Sequence, residues 1–568
     1  MRGKEKDKLL NSIIIIGIIL NIAFFGYLII INQPRTYPFP LPQPSGTLVI
    51  GYPNPPSTLD PLNSTDRNSN FVIEQLAETL FTYDFSNQSL PRIPKLVESY
   101  WWENTTTLHI KLRENIIFHD FTDFNANATK WNIDRLLYLT NCTETLPGTK
   151  YTAKSASLYF FPDGETPIIN HVDSDGAYNV TIYLNGYYAP FLDILCHPSS
   201  SILSPSSTPE DNYISLIYGT IVGTGPFIFE HYVPNVEVRL ARFDYNWGGA
   251  PWFSDVIIAF INNPTTRNNA MLGHEIDWLD GFIPELIPTF EADPTITAMK
   301  FTDSYGIPGL DYYYLGMNTI EIPIYWRKAI SYTINYTYII EDLMLDLAVR
   351  ANSPISLGYG SPWNASNSAP DYDLQVARQI IVDNVPAASG FPVNADPIDA
   401  TWLGSTLFIV NYTYDSGNSF RDDICNQLNS TLPAIGIQLI DDELPKSEFN
   451  RRIIGDHNKL GLFWLDWKSN QILEPFNMLN SLFNPISYLN SVQVNDSKLN
   501  TMMNLAFQTT DNTARNTLYK NIQWYLANRL YPHCFGFHPK IVFVHSANIR
   551  NVPYNFMGKL YVYPTYRD

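Results

Sequence analysis

The segment from Gly46 to Arg135 constrains the fold most, because strand and helix patterns follow one another along it at short intervals. Thr47–Gly51 is rich in β-forming residues and runs into several prolines, which predicts a strand that enters a loop. Apolar residues then recur at helical spacing within 70–81, and 108–118 alternates as a pair of strands. Asn127 is expected to cap the next helix. This mixture of elements predicts an α/β protein.

A second mixed pattern lies further along the chain. A strand-like stretch at 406–412 leads to a helix at 420–432 and to a returning strand at 436–440, which is the pattern of a β-α-β unit. Apolar positions at helical spacing also predict helices over 326–344 and 371–385. With 568 residues the chain is too long for one ordinary core, so several domain-sized units are expected.

Short motifs within the first segment follow the order that is typical of one protein family. The sequence reads GTLVIGYPNPPSTLDPLNSTD, then EQLAETLFTYD, then LPRIPKLVESYWWENTTTLHIKLRENIIFHDFTDFNANATKWNIDRL. This series resembles the extracellular solute-binding proteins of peptide and nickel importers, although Phe121 stands where the family's FHDG motif has glycine. The resemblance continues at 222–247, 314–335, 461–479 and 518–555, and so covers nearly all of the chain after residue 45.

The resemblance implies a two-lobed α/β fold like that of the periplasmic binding proteins of type II, with a subdomain inserted as in oligopeptide-binding members. Residues 46–568 are expected to form this solute-binding domain. By analogy with the family, the first lobe takes about 46–75, 215–265 and 522–568, the inserted subdomain about 76–214, and the second lobe about 266–521.

The N-terminal end predicts a membrane anchor. Leu9–Ile31 carries no charged residue and, as a helix rising about 1.5 Å per residue, is long enough to cross a hydrocarbon layer about 30 Å thick. Because lysines and an arginine precede it, the positive-inside rule predicts a cytoplasmic tail at 1–8 and an extracellular body. The proline-rich stretch 32–45 predicts an extended spacer. A cleaved signal peptide is the alternative interpretation of the apolar run.

Composition argues against several functions. The formal net charge of −19 and the scarcity of basic clusters argue against a nucleic-acid partner. The usual enzyme signatures for phosphate binding, nucleophilic serine or paired zinc ligands are missing from the sequence, so no enzyme activity, cofactor or metal is expected. Cys142 and Cys196 could form a disulfide on an outward-facing protein, or all four cysteines could be free thiols. His533 and His538 flank Cys534, a spacing that is more often structural than metal-binding.

The segment Phe463–Trp467 (FWLDW) is the best candidate for ligand contact. It resembles a family segment in which an aspartate pairs with the α-ammonium group of a peptide and the preceding tryptophan lines the cleft. Carried over by position, these roles fall on Asp466 and Trp464, with Trp467 as a further candidate ligand-binding residue. The loop after Trp467 is longer than in the family, and Glu474-Pro475 replaces the family's Asp-Pro.

The sequence therefore predicts a membrane-anchored extracellular protein that captures peptides between two closing lobes and delivers them to an ABC permease and its ATPase subunits. An oligosaccharide ligand is the alternative within the same family, because the 36 tyrosines and 12 tryptophans suit stacking against sugar rings. A surface hydrolase or a structural surface protein is the alternative from another class.

Overall fold

The structure is a computed structural model that describes residues 43–143, 153–468 and 472–568. The predicted tail 1–8, the anchor Leu9–Ile31 and most of the spacer 32–45 lie outside these described residues. Within the described ranges, the structure contains no helix that is both long and apolar enough to cross a bilayer.

Strands and helices alternate along the described chain, which confirms the predicted α/β class. In chain order the strands are β1 Thr47–Tyr52, β2 Phe81–Tyr83, β3 Arg92–Pro94, β4 Val97–Asn104, β5 Thr107–Leu112, β6 Ile169–Asp175, β7 Asn179–Leu184, β8 Phe227–Val233, β9 Glu237–Arg242, β10 Asp255–Phe260, β11 Trp278–Leu279, β12 Ile296–Lys300, β13 Tyr312–Met317, β14 Ala348–Arg350, β15 Phe408–Asp415, β16 Ile437–Leu444, β17 Leu462–Trp467, β18 His533–Pro539, β19 Val542–Ser546, β20 Ile549–Arg550 and β21 Tyr566–Arg567.

The α-helices among the described residues are α1 Arg67–Leu76, α2 Ala126–Leu139, α3 Phe191–Ile194, α4 Pro264–Leu272, α5 Ile287–Ala292, α6 Phe301–Tyr305, α7 Ile324–Ser331, α8 Leu374–Asn384, α9 Ala400–Leu403, α10 Ser419–Thr431, α11 Lys446–Gly455, α12 Pro475–Phe483, α13 Ser497–Gln508 and α14 Asn512–Tyr525.

The first sheet has the spatial order β12-β19-β11-β1-β10-β9-β8. β1 lies at its centre and runs parallel to β10 and β11. Alternate residues of β1, including Leu48 and Ile50, are buried in one core with Val256 and Ile258 of β10. The predicted strand at Thr47–Gly51 is thus the middle of a sheet rather than an edge.

The residues that lie between β1 and β8 in the chain form a separate antiparallel sheet in the order β4-β5-β7-β6. We call it the inserted sheet. Its buried face, with Leu108 opposite Ile182, packs in the same core as residues of α2, which contacts β6. The predicted pair of strands at 108–118 is correct only in its first part, because β5 ends at Leu112 and pairs with β4 and β7.

The second sheet has the order β14-β18-β13-β17-β15-β16. β15 and β16 are parallel along their full length and are joined by α10, which confirms the predicted β-α-β unit. β17 lies between β13 and β15, antiparallel to β13 and parallel to β15, and β18 pairs antiparallel with both β13 and β14.

Two segments of the chain pass between the first and second sheets. β12 leads through α6 to β13, and β18 leads directly to β19. The backbone N–H of Gly309 in one crossing donates to the carbonyl oxygen of Pro539 in the other, at 2.8 Å. The two crossings are therefore bonded side by side.

The sheets place some strands differently from the lobes expected by analogy. β11 and β12 fall within 266–521, which was expected to form the second lobe, yet they pair with β1 and β19 of the first sheet. β18 falls within 522–568, expected for the first lobe, yet it pairs with β13 of the second sheet. If each lobe contains one complete sheet, the boundaries between the lobes lie at the two crossings.

A buried ion pair connects the turn after β1 to α2, the helix that packs against the inserted sheet. Asp60 and Arg135 of α2 lie 2.5 Å apart, and their side chains are 0% and 3% exposed. The Asp60 carboxylate also accepts from the backbone N–H of Leu62 at 3.0 Å and of Ile214 at 2.9 Å, while Arg135 donates to the carbonyl of Pro209 at 2.7 Å. These hydrogen bonds compensate the burial of two charges.

Candidate functional site

β17 carries the predicted ligand-binding residues and ends close to the crossings. Asp466 lies opposite Tyr313 of β13, and Trp464 lies opposite Leu315. Because side chains alternate along a strand, Asp466 and Trp464 share one face of the second sheet and Trp467 lies on the other.

Trp464 is buried, with 2% of its surface exposed. Its ring packs against Phe420 at 5.6 Å and Phe537 at 6.2 Å between centroids, and it lies directly over Gly536. The indole Nε1 finds no hydrogen-bond acceptor among the residues that the structure describes. The structure therefore places Trp464 in the core of the second sheet.

Trp467 is also buried. It belongs to the core cluster that contains Phe476 and Leu479 of α12. Of the three predicted residues, Asp466 alone presents an accessible side chain, and that side chain is 30% exposed.

Asp466 belongs to a cluster of charges that the sequence analysis did not identify. The ammonium group of Lys468 lies 3.3 Å from Asp466 Oδ2 and 3.2 Å from Asp311 Oδ2. The same group donates to the hydroxyl of Tyr313 and lies 4.5 Å from the centre of its ring. We call Asp311, Tyr313, Asp466 and Lys468 the β17 charge cluster.

The charges of this cluster stabilise the ammonium form of Lys468. Burial disfavours that charge, but Asp311, Tyr313 and Asp466 outweigh the effect of burial, so the pKa of Lys468 is raised above its usual value. Burial raises the pKa of Tyr313, and the positive charge of the nearby Lys468 acts in the opposite direction. Lys468 therefore carries its positive charge at neutral pH.

On the first sheet, Arg67 at the start of α1 pairs with Asp280, just after β11, at 2.9 Å. It also donates to the carbonyl of Gly558 at 2.9 Å. The pKa of Arg67 is raised chiefly by Asp280, and Asp311 of the β17 charge cluster adds to the effect. Asp311, at the end of one crossing, thus interacts electrostatically with Arg67 at the start of α1.

The segment after β17 contacts the inserted region. The backbone N–H of Leu473 donates to the Tyr83 hydroxyl at 2.9 Å, and this hydroxyl donates to Asp193 at 3.1 Å. Arg92 completes the contact with an ion pair to Asp193 at 2.5 Å. These bonds join the β2-β3 hairpin to the stretch that leads into α12.

Glu474 is buried at the same contact. Its carboxylate accepts from the Tyr519 hydroxyl and lies 3.9 Å from Arg515, its charged partner. Burial raises the pKa of Glu474 to about 7, although Arg515 acts in the opposite direction. The residue that replaces the family's aspartate is thus a buried acid and not a cleft-facing one.

A cavity of about 490 Å³ lies between the β2-β3 hairpin, the end of α6 and the C-terminal segment. Five tyrosine side chains contribute to its wall: Tyr83, Tyr305, Tyr554, Tyr561 and Tyr563. The hydroxyl of Tyr563 donates to the Gly248 carbonyl, and the hydroxyl of Tyr554 lies 2.7 Å from His545 Nε2. These contacts orient the rings of Tyr554 and Tyr563.

The cysteines and the paired histidines have structural surroundings. All four cysteines, Cys142 and Cys196 included, are free thiols. His533 contacts the hydroxyl of Tyr312 at 3.1 Å, and His538 contacts the carbonyl of Asp311 at 2.9 Å. No group of three metal-binding side chains occurs in 43–143, 153–468 or 472–568.

The chain matches the family described as "Bacterial extracellular solute-binding proteins, family 5 Middle" over residues 92–488. Among curated proteins it is 26% identical over 346 residues to the glutathione-binding protein GsiB of Escherichia coli strain K12. That match covers 59% of this chain and 60% of GsiB, so the chain spans about 60% of the length of the curated relatives it matches.

Two solved structures show the same fold. The periplasmic binding protein DppA of Helicobacter pylori, in complex with the peptide STSA, is 21% identical with a TM-score of 0.72, covering 92% of this chain and 98% of that chain. NikA of Brucella suis, in complex with Fe(III)-EDTA, is 18% identical with a TM-score of 0.74, covering 92% of this chain and 100% of that chain.

Proposed function

Since the chain belongs to the bacterial extracellular solute-binding proteins of family 5, we propose that it captures peptides between two lobes and delivers them to an ABC permease driven by separate ATPase subunits. The observation that carries the proposal is Asp466, a partly exposed carboxylate at the end of β17. A charge-assisted hydrogen bond from a peptide α-ammonium to such a carboxylate is strong once water is excluded.

The two crossings between the sheets support a hinge mechanism. Lobes that are joined only by short segments can rotate about them while each sheet keeps its hydrogen bonds, and closure around a ligand is a common use of such hinges. Capture and release of this kind require no bond to be made or broken in the ligand. The proposal therefore assigns no catalytic residue.

We further propose that Leu9–Ile31 anchors the protein in the cell membrane with the body outside. Its charge-free sequence and basic N-terminal flank support this orientation. The full-length protein should stay with membranes through high-salt and alkaline washes, and external protease should remove the body from intact cells. Recovery of a soluble protein that begins near residues 32–46 contradicts the anchor and favours a cleaved signal peptide.

The peptide proposal is tested with the full-length chain purified in detergent. The probes are the tetrapeptide Ser-Thr-Ser-Ala, its N-acetylated form and glutathione, measured by titration calorimetry and by thermal unfolding. A ligand at about 100 times its Kd adds roughly 2.7 kcal/mol to native stability. Saturable binding without cleavage of the probe supports the proposal, and cleavage by the pure protein contradicts it.

An oligosaccharide ligand is the second candidate, and the tyrosine-lined cavity of about 490 Å³ favours it. Rigid aromatic rings offer flat apolar surfaces on which sugar rings stack. Cellotetraose is therefore the comparison probe in the same experiments. Binding of cellotetraose with no binding of any peptide probe favours the oligosaccharide candidate over the peptide proposal.

A further inference from the structure

The position expected for a ligand's ammonium group already holds an ammonium group of the chain. Lys468 Nζ lies 3.3 Å from Asp466 Oδ2. We propose that Lys468 is the resident counter-ion of Asp466, which the α-ammonium of a peptide displaces, and that Lys468 thereby lowers the preference of the site for free amino termini. This inference rests on the proposed function of peptide capture.

Lys468 retains other hydrogen-bond partners when a peptide α-ammonium binds Asp466. Its ammonium has three hydrogens to donate, and Asp311 Oδ2 lies at 3.2 Å. The Tyr313 hydroxyl accepts from the same group, and the Tyr313 ring lies 4.5 Å away. Displacement therefore exchanges one of several contacts and leaves Lys468 paired with Asp311 and Tyr313.

The charge balance of the β17 charge cluster also favours a second cation. Two carboxylates, Asp311 and Asp466, lie within ion-pair distance of the one ammonium of Lys468. A bound α-ammonium at Asp466 lets Lys468 pair with Asp311 alone, so that each carboxylate has its own cation.

The same balance predicts what happens without the lysine. In a Lys468→Met variant the two carboxylates lose their common counter-ion, and the incoming α-ammonium no longer competes for Asp466. Affinity for free-amine peptides should rise. Because the lysine is 56% exposed, its pair with Asp466 has the strength of a partly solvated ion pair, and the expected gain is about fivefold.

The test compares the wild-type full-length chain with Lys468→Met and Lys468→Arg, using Ser-Thr-Ser-Ala and its N-acetylated form in titration calorimetry. Lys468→Met should bind the free tetrapeptide about fivefold more tightly, with no gain for the acetylated form. Lys468→Arg keeps the charge and should retain the wild-type ratio of the two affinities. Adding Asp466→Asn to Lys468→Met should remove the gain, because both changes act on one contact.

Equal changes for the free and acetylated tetrapeptides in Lys468→Met overturn the inference, since a merely structural role of the lysine does not distinguish them. An unchanged affinity for the free tetrapeptide overturns it as well, while leaving the proposed function intact. If no variant binds either tetrapeptide although circular dichroism shows each to be folded, the proposed function fails and the inference fails with it.

Discussion

The ion pairs Asp60–Arg135 and Asp466–Lys468 contain the same kinds of charge in opposite surroundings. Asp60 and Arg135 are almost fully buried, 2.5 Å apart, and backbone groups occupy their remaining hydrogen-bonding positions. Asp466 and Lys468 are 30% and 56% exposed, 3.3 Å apart, and one ammonium serves two carboxylates. The first pair is closed to other partners, whereas the second can exchange them, which is what a binding site needs.

The largest effect is expected from breaking the closed pair. Asp60→Asn leaves the guanidinium of Arg135 buried without a counter-ion, and the free energy of unfolding should fall by about 3–5 kcal/mol, measured by urea unfolding. Asp134→Asn is the control, because it breaks an exposed pair with Lys130 on the same helix and should change stability by less than about 0.5 kcal/mol. A loss below about 1 kcal/mol for Asp60→Asn contradicts the comparison.

Glu474 sharpens the comparison because it is buried like Asp60 but lies 3.9 Å from its cationic partner. Its pKa is raised from 4.5 to about 7, so between these pH values the folded protein binds a proton that the unfolded chain releases. Stability should therefore fall as the pH rises from about 4.5 to about 7, by up to about 3 kcal/mol.

Urea unfolding of wild type and Glu474→Gln at pH 5, 6, 7 and 8 measures this contribution. The glutamine variant should lose this part of the pH dependence and gain most, relative to wild type, at pH 8. Parallel pH profiles for the two proteins are the result that excludes a raised pKa at Glu474.

Breaking the open pair should affect binding and leave folding nearly unchanged. Asp466→Asn removes the acceptor of the α-ammonium, and affinity for Ser-Thr-Ser-Ala should fall at least about tenfold, equal to about 1.4 kcal/mol. Its free energy of unfolding should stay within about 0.5 kcal/mol of wild type. Calorimetry measures the loss of affinity and urea unfolding measures the change in stability on the same preparation, with Asp134→Asn as the matched control. A large loss of stability contradicts the prediction, because it means that Asp466 stabilises the fold as Asp60 does.

The smallest effect concerns the helix that carries Arg135. Asn125 caps α2 by accepting from the N–H of Ala128 at 3.0 Å, so Asn125→Ala should cost about 1 kcal/mol of unfolding free energy. Asn127, the cap expected from the sequence, lies inside the helix, and Asn127→Ala should cost less than about 0.5 kcal/mol. Thermal unfolding of both variants decides between them, and equal losses contradict the assignment of the cap.

The sequence predicts the fold well where its signals are local. The β-α-β unit at β15, α10 and β16 follows from periodicity alone, and the family motifs indicate the remainder. Helix ends are less well predicted. The helix expected over 326–344 is interrupted after Ser331 and resumes as a π-helix over Tyr338–Leu343. At the interruption the hydroxyl of Thr333 donates to the Ile330 carbonyl, which competes with continued helical bonding.

The ligand site is less predictable because it depends on contacts that are distant in sequence. The motif points to Asp466, whose carboxylate is partly exposed, whereas Trp464 is buried because Phe420 and Phe537 pack against it. Lys468 could have been recognised from its position two residues after Asp466, which places both side chains on one side of an extended chain. Asp311 offers no local signal, since β13 brings it to the cluster from far along the chain.

Phe121 is a non-glycine residue with a left-handed backbone conformation. It stands where the family has glycine, and its backbone adopts the left-handed conformation that glycine favours, at φ 66°. Its ring contacts Tyr245 at 5.6 Å between centroids. The turn therefore places an aromatic side chain at a position whose backbone conformation favours glycine.

The hydrogen bond between Gly309 and Pro539 has a mechanical consequence. Two linkers without mutual hydrogen bonds would let the sheets twist, slide and bend relative to each other. Segments that are hydrogen-bonded side by side resist sliding and bend mainly out of their common plane. We therefore expect motion between the sheets to be mainly a rotation about the paired crossings. β13 begins at Tyr312, directly after Asp311, so a force applied to the β17 charge cluster acts at short range on that axis.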